Sequence, residues 1–321
     1  MVEDKSSKLF NRIIGVVAVS VVTAMGGCSS TSLPGGETHV SSPGVNVGID
    51  VDRKASTIIV PSERYMATEK EMEVLTSATS VALAECTRDK DLDIRWTGQS
   101  SGILYSRPED IFIEFGPWVK ETTSRYGFTS PYIGHKAKGK SGAVDIVPGA
   151  REQSFRAMDA NSKYTDAQME KMWKECGDHP SVKKFNVESV NQDGPWVNEL
   201  SNTRMVLFDD PRAKAIAGEL GACFVKKGLK MSSEAPGYVD GINGFDEPTQ
   251  ETIGIALKAV ECQEETDATP RLAQVWADLQ APIVKKYAKE LVAQRRVIDE
   301  RIAEAKKYVH AHPELLEPPS K

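Results

Sequence analysis

Residues 134–141 read GHKAKGKS, which fills every fixed position of G-x-x-x-x-G-K-[ST], the loop whose backbone N–H groups cradle nucleotide phosphates. Residues 205–210, MVLFDD, would offer a carboxylate for the accompanying Mg2+. The flanks do not suit that chemistry, because a phosphate loop joins a buried strand to a helix whose N-terminus faces the anion. Upstream, SRYGFTSPYI is interrupted by Gly127 and Pro131, and downstream GAVDIVPGA soon meets Pro148 and Gly149. Asp210, directly before Pro211, reads better as a helix cap than as a metal ligand. The segment is expected to be a solvated basic loop, with no nucleotide cofactor.

Other chemistries find no better footing. The histidines His39, His135, His179, His310 and His312 are scattered without an H-E-x-x-H, and His310 and His312, two apart near a helix end, make a poor metal pair. No G-x-S-x-G elbow is present, and DGINGFDEP lacks the alternating order of a calcium loop. No catalytic residue, metal ligand or cofactor is therefore assigned. Trp173 and Trp276 fall in helical patterns and are expected in the core. Trp96, Trp118 and Trp196 lie near Gly or Pro, where an aromatic either plugs the space under a loop or lines a ligand cleft.

The N-terminus carries an address. After a basic start comes the apolar run from Ile13 to Met25, then Gly-Gly-Cys28. The run suits the apolar region of an export signal and falls short of the roughly 20 residues that span a bilayer. MGGC resembles the bacterial lipobox, whose cysteine sulfur receives a diacylglyceryl group and becomes the new N-terminus; Met25 stands where leucine is commoner. Two acyl chains suffice for stable anchoring. The expected localisation is the extracytoplasmic face of a bacterial plasma membrane, with residues 1–27 a signal peptide and Cys28 the lipid anchor. Residues 28–50, rich in Ser, Gly and Pro, read as a leash reaching roughly 25 Å. An address outside the cell also removes the ATP that a phosphate loop would need.

Charge narrows the partners. Lys plus Arg number 40 and Asp plus Glu 46, a net charge of −6 with the signs interspersed, so a nucleic-acid surface is not expected. Beyond Cys28 there are four cysteines, Cys86, Cys176, Cys223 and Cys262, an even number suited to disulfides outside the cytoplasm and open to three pairings.

Helical patterns surround each cysteine. Thr68 and Glu71 have capping-box spacing, and Met72, Leu75, Thr79, Ala82 and Cys86 follow on one face. Thr165 and Gln168 repeat the signature before Met169, Met172, Trp173 and Cys176. Asp210-Pro211 opens a helix with Ala213, Ile216, Ala217, Leu220 and Cys223 as its stripe and Gly228 as its stop. Pro248 opens another, carrying Ile255, Ala259 and Cys262. Short strands are expected at Ser56 to Pro61 and at Ile111 to Phe115. A weak repeat, C-x-x-x-K-x-L at Cys86 and Cys223 and Glu-Cys at Cys176 and Cys262, pairs Cys86 with Cys176 and Cys223 with Cys262. From Ala281 onward a long amphipathic helix is expected, started or kinked at Pro282. Its stripe is Val284, Tyr287, Leu291, Ile298, Ile302, Ala305 and Val309, facing the protein's own core or a partner's.

The segments IIVPSERYMATEKEMEVLTSATSVALAEC, RYGFTSPY, DDPRAKAIAGELGACFVKKGL and IALKAVECQEETDATPRL resemble a family of uncharacterised actinobacterial secreted lipoproteins. The resemblance spans roughly residues 56 to 310 and rests on the four cysteines and their spacing. It implies the lipidated address and the disulfides, and adds no chemistry.

The expected fold is mainly α, with a few short strands and two disulfide-braced helix pairs. A first cysteine-helix half (residues 51–195) precedes a second (196–321) that ends in the long helix. The expected function is non-catalytic: a lipid-anchored envelope lipoprotein holding a protein or cell-wall partner, touching the membrane through its lipid. Two alternatives stay open, a transporter's substrate-binding lipoprotein, for which the βαβ repeats are lacking, and an extracytoplasmic enzyme.

Overall fold

A computed structural model describes residues 44–92, 111–129, 135–137, 140–142, 163–190, 194–242, 244 and 248–315. The expected signal peptide, Cys28, most of the leash and Trp96 lie outside the described residues. The described residues belong to one compact unit.

The first cysteine helix, α1 (Glu69–Asp89), begins where the Thr68 side chain accepts from the Glu71 N–H at 3.2 Å and the Glu71 carboxylate accepts from the Thr68 N–H at 2.9 Å. That exchange satisfies two of the N–H groups a helix start leaves unpaired. Its apolar face buries Val74, Leu75, Ala78, Val81, Ala82 and Cys86. Against this face lies the last helix, α10 (Ala288–Ala311), which contributes Ile298, Ile302, Ala305 and Val309 to the same core. Alanines in both helices shorten the side chains at the seam. The C-terminal stripe thus covers the protein's own core rather than waiting for a partner.

Three further helices flank that seam. α3 (Asp166–Cys176) has the expected Thr165–Gln168 capping box, with Gln168 Oε1 accepting from the Thr165 N–H at 2.8 Å. α4 (Pro180–Phe185) and α5 (Val187–Val190) follow, and Val182, Phe185 and Val190 are buried. Trp173 departs from expectation, being 51% exposed. Met172 and Cys176, one turn apart, take the inward face of α3, and Trp173 is rotated about 100° from Met172 toward solvent.

The second core gathers α7 (Pro211–Lys226), α8 (Gln250–Thr266) and α9 (Ala268–Lys286) around Leu207, Ile216, Leu220, Phe224, Ala259, Leu272 and Ala273. α6 (Pro195–Val206) packs on α9 and buries Trp196 and Leu200 with Tyr65, Val284 and Leu291. Asp210 caps α7, accepting from the Arg212 N–H at 2.8 Å, with Pro211 at the first helical position. α7 stops as expected: Gly228 has φ +71, the Gly228 N–H donates to Val225 O and the Leu229 N–H to Phe224 O, the paired bonds of a Schellman motif. α2 (Lys120–Tyr126) packs on α8.

Three boundaries correct the expectations. Thr249, not Pro248, caps α8, accepting from the Thr252 N–H. Pro282 lies inside α9, and the break comes at Tyr287, φ −108 and ψ 23, before α10 begins. Ile111 to Phe115 is not a strand. Its carbonyls bond side chains instead: Phe112 O accepts from Trp118 Nε1 (2.7 Å), Ile113 O from the Tyr238 hydroxyl (2.6 Å) and Phe115 O from Gln263 Nε2 (2.6 Å). The chain then turns at Gly116, φ +79.

The described strands form two antiparallel pairs. β1 (Asp50–Asp52) pairs with β2 (Thr57–Ile59), with Val51 opposite Ile58. β3 (His135–Ala137) pairs with β4 (Lys140–Gly142), with Lys136 opposite Ser141. Both disulfides join the expected partners: Cys86 of α1 to Cys176 of α3, Cα atoms 5.9 Å apart, and Cys223 of α7 to Cys262 of α8, 5.6 Å apart. Cys262 lies one turn inside its helix rather than at the end.

Candidate functional site

The phosphate-loop lookalike is a hairpin in its described part. Lys140 and Ser141, which would have to open a helix to hold a nucleotide, are strand residues paired with Lys136 and Ala137. A phosphate cradle needs the free N–H groups of a helix start, and these described residues are strand instead. The other half of the lookalike is also spoken for, since the Asp210 carboxylate is engaged by the Arg212 guanidinium at 2.9 Å. Hydrogen bonding by that guanidinium holds Asp210 below the usual carboxylate range.

Between β2 and α2 lies a small cleft walled by Ser56, Phe112, Trp118, Thr122, Thr123 and Tyr126, with a cavity volume of about 10 Å3. That is room for about one water molecule and far short of the ~300–1,000 Å3 of most small-molecule sites. Its polar groups are also committed to one another: Ser56 bonds Thr122, Thr123 Oγ1 donates to Val119 O at 2.8 Å, and Trp118 Nε1 donates to Phe112 O. Trp118 and Trp196 are both buried, which makes them plugs rather than a ligand platform. Trp276 is half-buried, and its Nε1 donates to Thr203 Oγ1 at 2.9 Å.

Two charged clusters had no signal in the sequence. In the first, the Arg204 guanidinium stands 5.3 Å from the Phe115 ring centre, 5.6 Å from Phe208 and 5.9 Å from Trp276. Its Nε donates to the Glu114 carboxylate at 3.2 Å. An aromatic box closed by a carboxylate is the chemistry that recognises a cation, and here the chain's own arginine fills it. Nearby, burial pushes the Tyr238 phenol well up, with the Glu114 charge adding to that and Arg204 opposing it, so the hydroxyl stays a donor to Ile113 O.

The second cluster joins α1 to the chain's C-terminal turn. The Tyr308 hydroxyl donates to Glu85, and the His312 ring lies against Tyr308 at a tilt of 54°, ring centres 4.7 Å apart. Burial, then the Glu85 hydrogen bond, raise the Tyr308 phenol far above its ordinary range. A phenol so disposed is neither a nucleophile nor a base at neutral pH.

The members of each cluster come from distant parts of the chain, Arg204 and Glu114 being 90 residues apart and Tyr308 and Glu85 223 apart, so no local motif announces them. Among the described residues, no three His, Cys, Asp or Glu side chains are grouped to hold a metal ion. Nor, among them, is any helix long and apolar enough to cross a membrane. Cys86, Cys176, Cys223 and Cys262 are all buried, and their pairing removes them as thiolate nucleophiles. Compared with protein-family models, curated proteins and solved structures, the chain matches none.

Proposed function

We propose that the chain is a lipid-anchored lipoprotein of the bacterial cell envelope that binds a protein or cell-wall partner and performs no catalysis. The observation that carries the reading is the apolar run from Ile13 to Met25 followed by Gly26, Gly27 and Cys28, the order of an export signal and acylation site. The two disulfides support it independently, since such bonds persist mainly outside the cytoplasm. Binding rather than catalysis is favoured by the described clusters, whose acidic, basic and phenolic groups satisfy one another and leave no nucleophile beside a base.

Mass spectrometry of the mature protein tests the anchor: Cys28 as the first residue carrying a diacylglyceryl group is expected, and Cys28→Ser should abolish both acylation and membrane retention. An uncut protein starting at Met1 in the cytosol would overturn the reading. The binding role is tested by cross-linking in intact envelopes, with one protein or glycan expected to be enriched reproducibly. A sugar or peptide that raises the melting temperature in a solute panel would favour the transporter-linked alternative instead.

A further inference from the structure

We propose that the end of the fold around Val45, Val47 and the α9–α10 junction lies against the anionic bilayer that holds the lipid, with the Cys86–Cys176 end directed away from it. This orientation rests on the acylation of Cys28 and gives it a direction. Val45 and Val47 pack on the cluster of Tyr65, Trp196, Val284 and Leu291. Between them, the Asn46 N–H donates to the Tyr65 hydroxyl at 3.0 Å, and the Gly48 N–H donates to Asn46 Oδ1 at 3.0 Å. The expected leash therefore ends at Gly44, and the chain joins the fold at this cluster.

Residues 29–44 separate the acylated cysteine from that docking point. Their Ser-, Gly- and Pro-rich composition gives a reach of roughly 22 Å. Leu291 belongs to the docking cluster and Val309 to the core at the other end of α10, and a rise of about 1.5 Å per residue sets them roughly 27 Å apart. α1 runs the same way, since Glu71 meets Arg295 while Glu85 meets Tyr308. It thus carries Cys86, and through the disulfide α3 with Lys174 and Trp173, toward the far end. Seating that end on the bilayer would require the leash to run past the length of α10. Seating the docking end does not.

The docking end also has the charge that suits phosphate headgroups. Lys285 and Lys289 flank the break at Tyr287, and Arg296, two turns on from Lys289, returns to the same side of α10. All three are exposed. Neighbouring charges are paired: Lys286 holds Glu199 at 2.8 Å, Arg64 holds Asp50 at 2.7 Å and Arg295 holds Asp299 at 2.8 Å. Glu290 opposes the three cations and is outnumbered by them. A short tether keeps this side at high local concentration beside the lipid, so that headgroup contacts too weak to bind alone become populated.

Fluorescence transfer to an acceptor on the lipid headgroups tests the direction, with the acylated mature chain on vesicles of phosphatidylglycerol and phosphatidylcholine. Donors are placed at Ala293→Cys, one turn from Lys289, and at Lys174→Cys on α3, both exposed positions. Transfer should be several-fold more efficient from position 293. Repeating residues 29–44 doubles the leash, lowers the local concentration of the face roughly threefold and should narrow the difference. Lys285→Gln combined with Lys289→Gln should reduce transfer from position 293 on these vesicles and leave it unchanged on pure phosphatidylcholine; no change on either would overturn the headgroup contact. Vesicle flotation separates the two failures. A chain that does not float overturns the anchor and the orientation together, whereas a chain that floats with equal transfer from both positions, or more from position 174, overturns the orientation alone.

Discussion

Arg295 of α10 grips Glu71 of α1 through two hydrogen bonds, Nη1 to Oε2 at 3.1 Å and Nη2 to Oε1 at 2.8 Å, while the same carboxylate closes the capping box of α1. Both side chains are largely sheltered, 18% and 25% exposed, so one residue secures a helix start and a helix–helix seam together. Glu71→Ala removes both roles and should cost roughly 2–3 kcal/mol, whereas Glu71→Gln keeps an acceptor for the Thr68 N–H and should cost about half as much. Urea unfolding of the two variants gives the comparison. Equal losses would show that the cap contributes little.

Gly237 lies against Phe115 so closely that a Cβ would overlap the Phe115 carbonyl oxygen, and a Cβ on Gly116 would overlap the Gly237 carbonyl. Both have positive φ, +98 and +79, so alanine at either position adds backbone strain to the clash. Gly237→Ala should destabilise by roughly 3 kcal/mol or more. Gly218, inside α7 and with open space for 4 Å around the position a methyl group would take, should behave oppositely: Gly218→Ala should stabilise by up to about 1 kcal/mol. Thermal melts of the pair test the sign as well as the size.

The disulfides close loops of 90 and 39 residues. In the chain-entropy account these correspond to about 4.6 and about 4 kcal/mol of stabilisation. Removing either bond by a double Cys→Ala change should therefore lower unfolding free energy by a similar amount, the Cys86–Cys176 pair slightly more. A much smaller loss for Cys223–Cys262 would mean that α7 and α8 are held by packing of Leu220, Phe224 and Ala259 alone.

The helices were legible because their ends are written locally: Thr68 with Glu71, Thr165 with Gln168, Asp210 with Pro211, and Gly228 each act within a turn of their own position. The cysteine pairing could be read only because the two pairs share a faint repeat. What escaped was decided by distant groups. Ile111 to Phe115 alternates like a strand, yet Trp118, Tyr238 and Gln263 claim its carbonyls. Trp173 shares a helical pattern with Met172, but its neighbour and Cys176 take the core side. The Arg204 box and the Glu85–Tyr308–His312 cluster assemble from separate elements, so neither has a spacing to find. The phosphate-loop pattern illustrates the reverse failure, a local match in which Lys140 and Ser141 belong to β4 where the chemistry requires a helix start.

Acid should weaken the fold through its paired carboxylates. Hydrogen bonds hold Glu199 (from Lys286, then Tyr287), Glu219 (from Arg271), Asp240 (from Lys230) and Glu261 (from Lys227) below the usual carboxylate range. With folded values depressed, the unfolded chain takes up protons at higher pH than the native chain does. The stability these groups contribute is therefore complete above about pH 5 and lost as pH falls through about 4 and below. Urea midpoints should be higher at pH 6 than at pH 3.5. Because the pairs face solvent, 0.5 M salt should flatten the acid limb through the same screening that weakens exposed ion pairs at ~0.1 M and above. Mutating one pair, as in Lys227→Met with its partner Glu261→Gln, should remove only a small share of the slope, and loss of the whole limb would mean that this single pair governs acid unfolding.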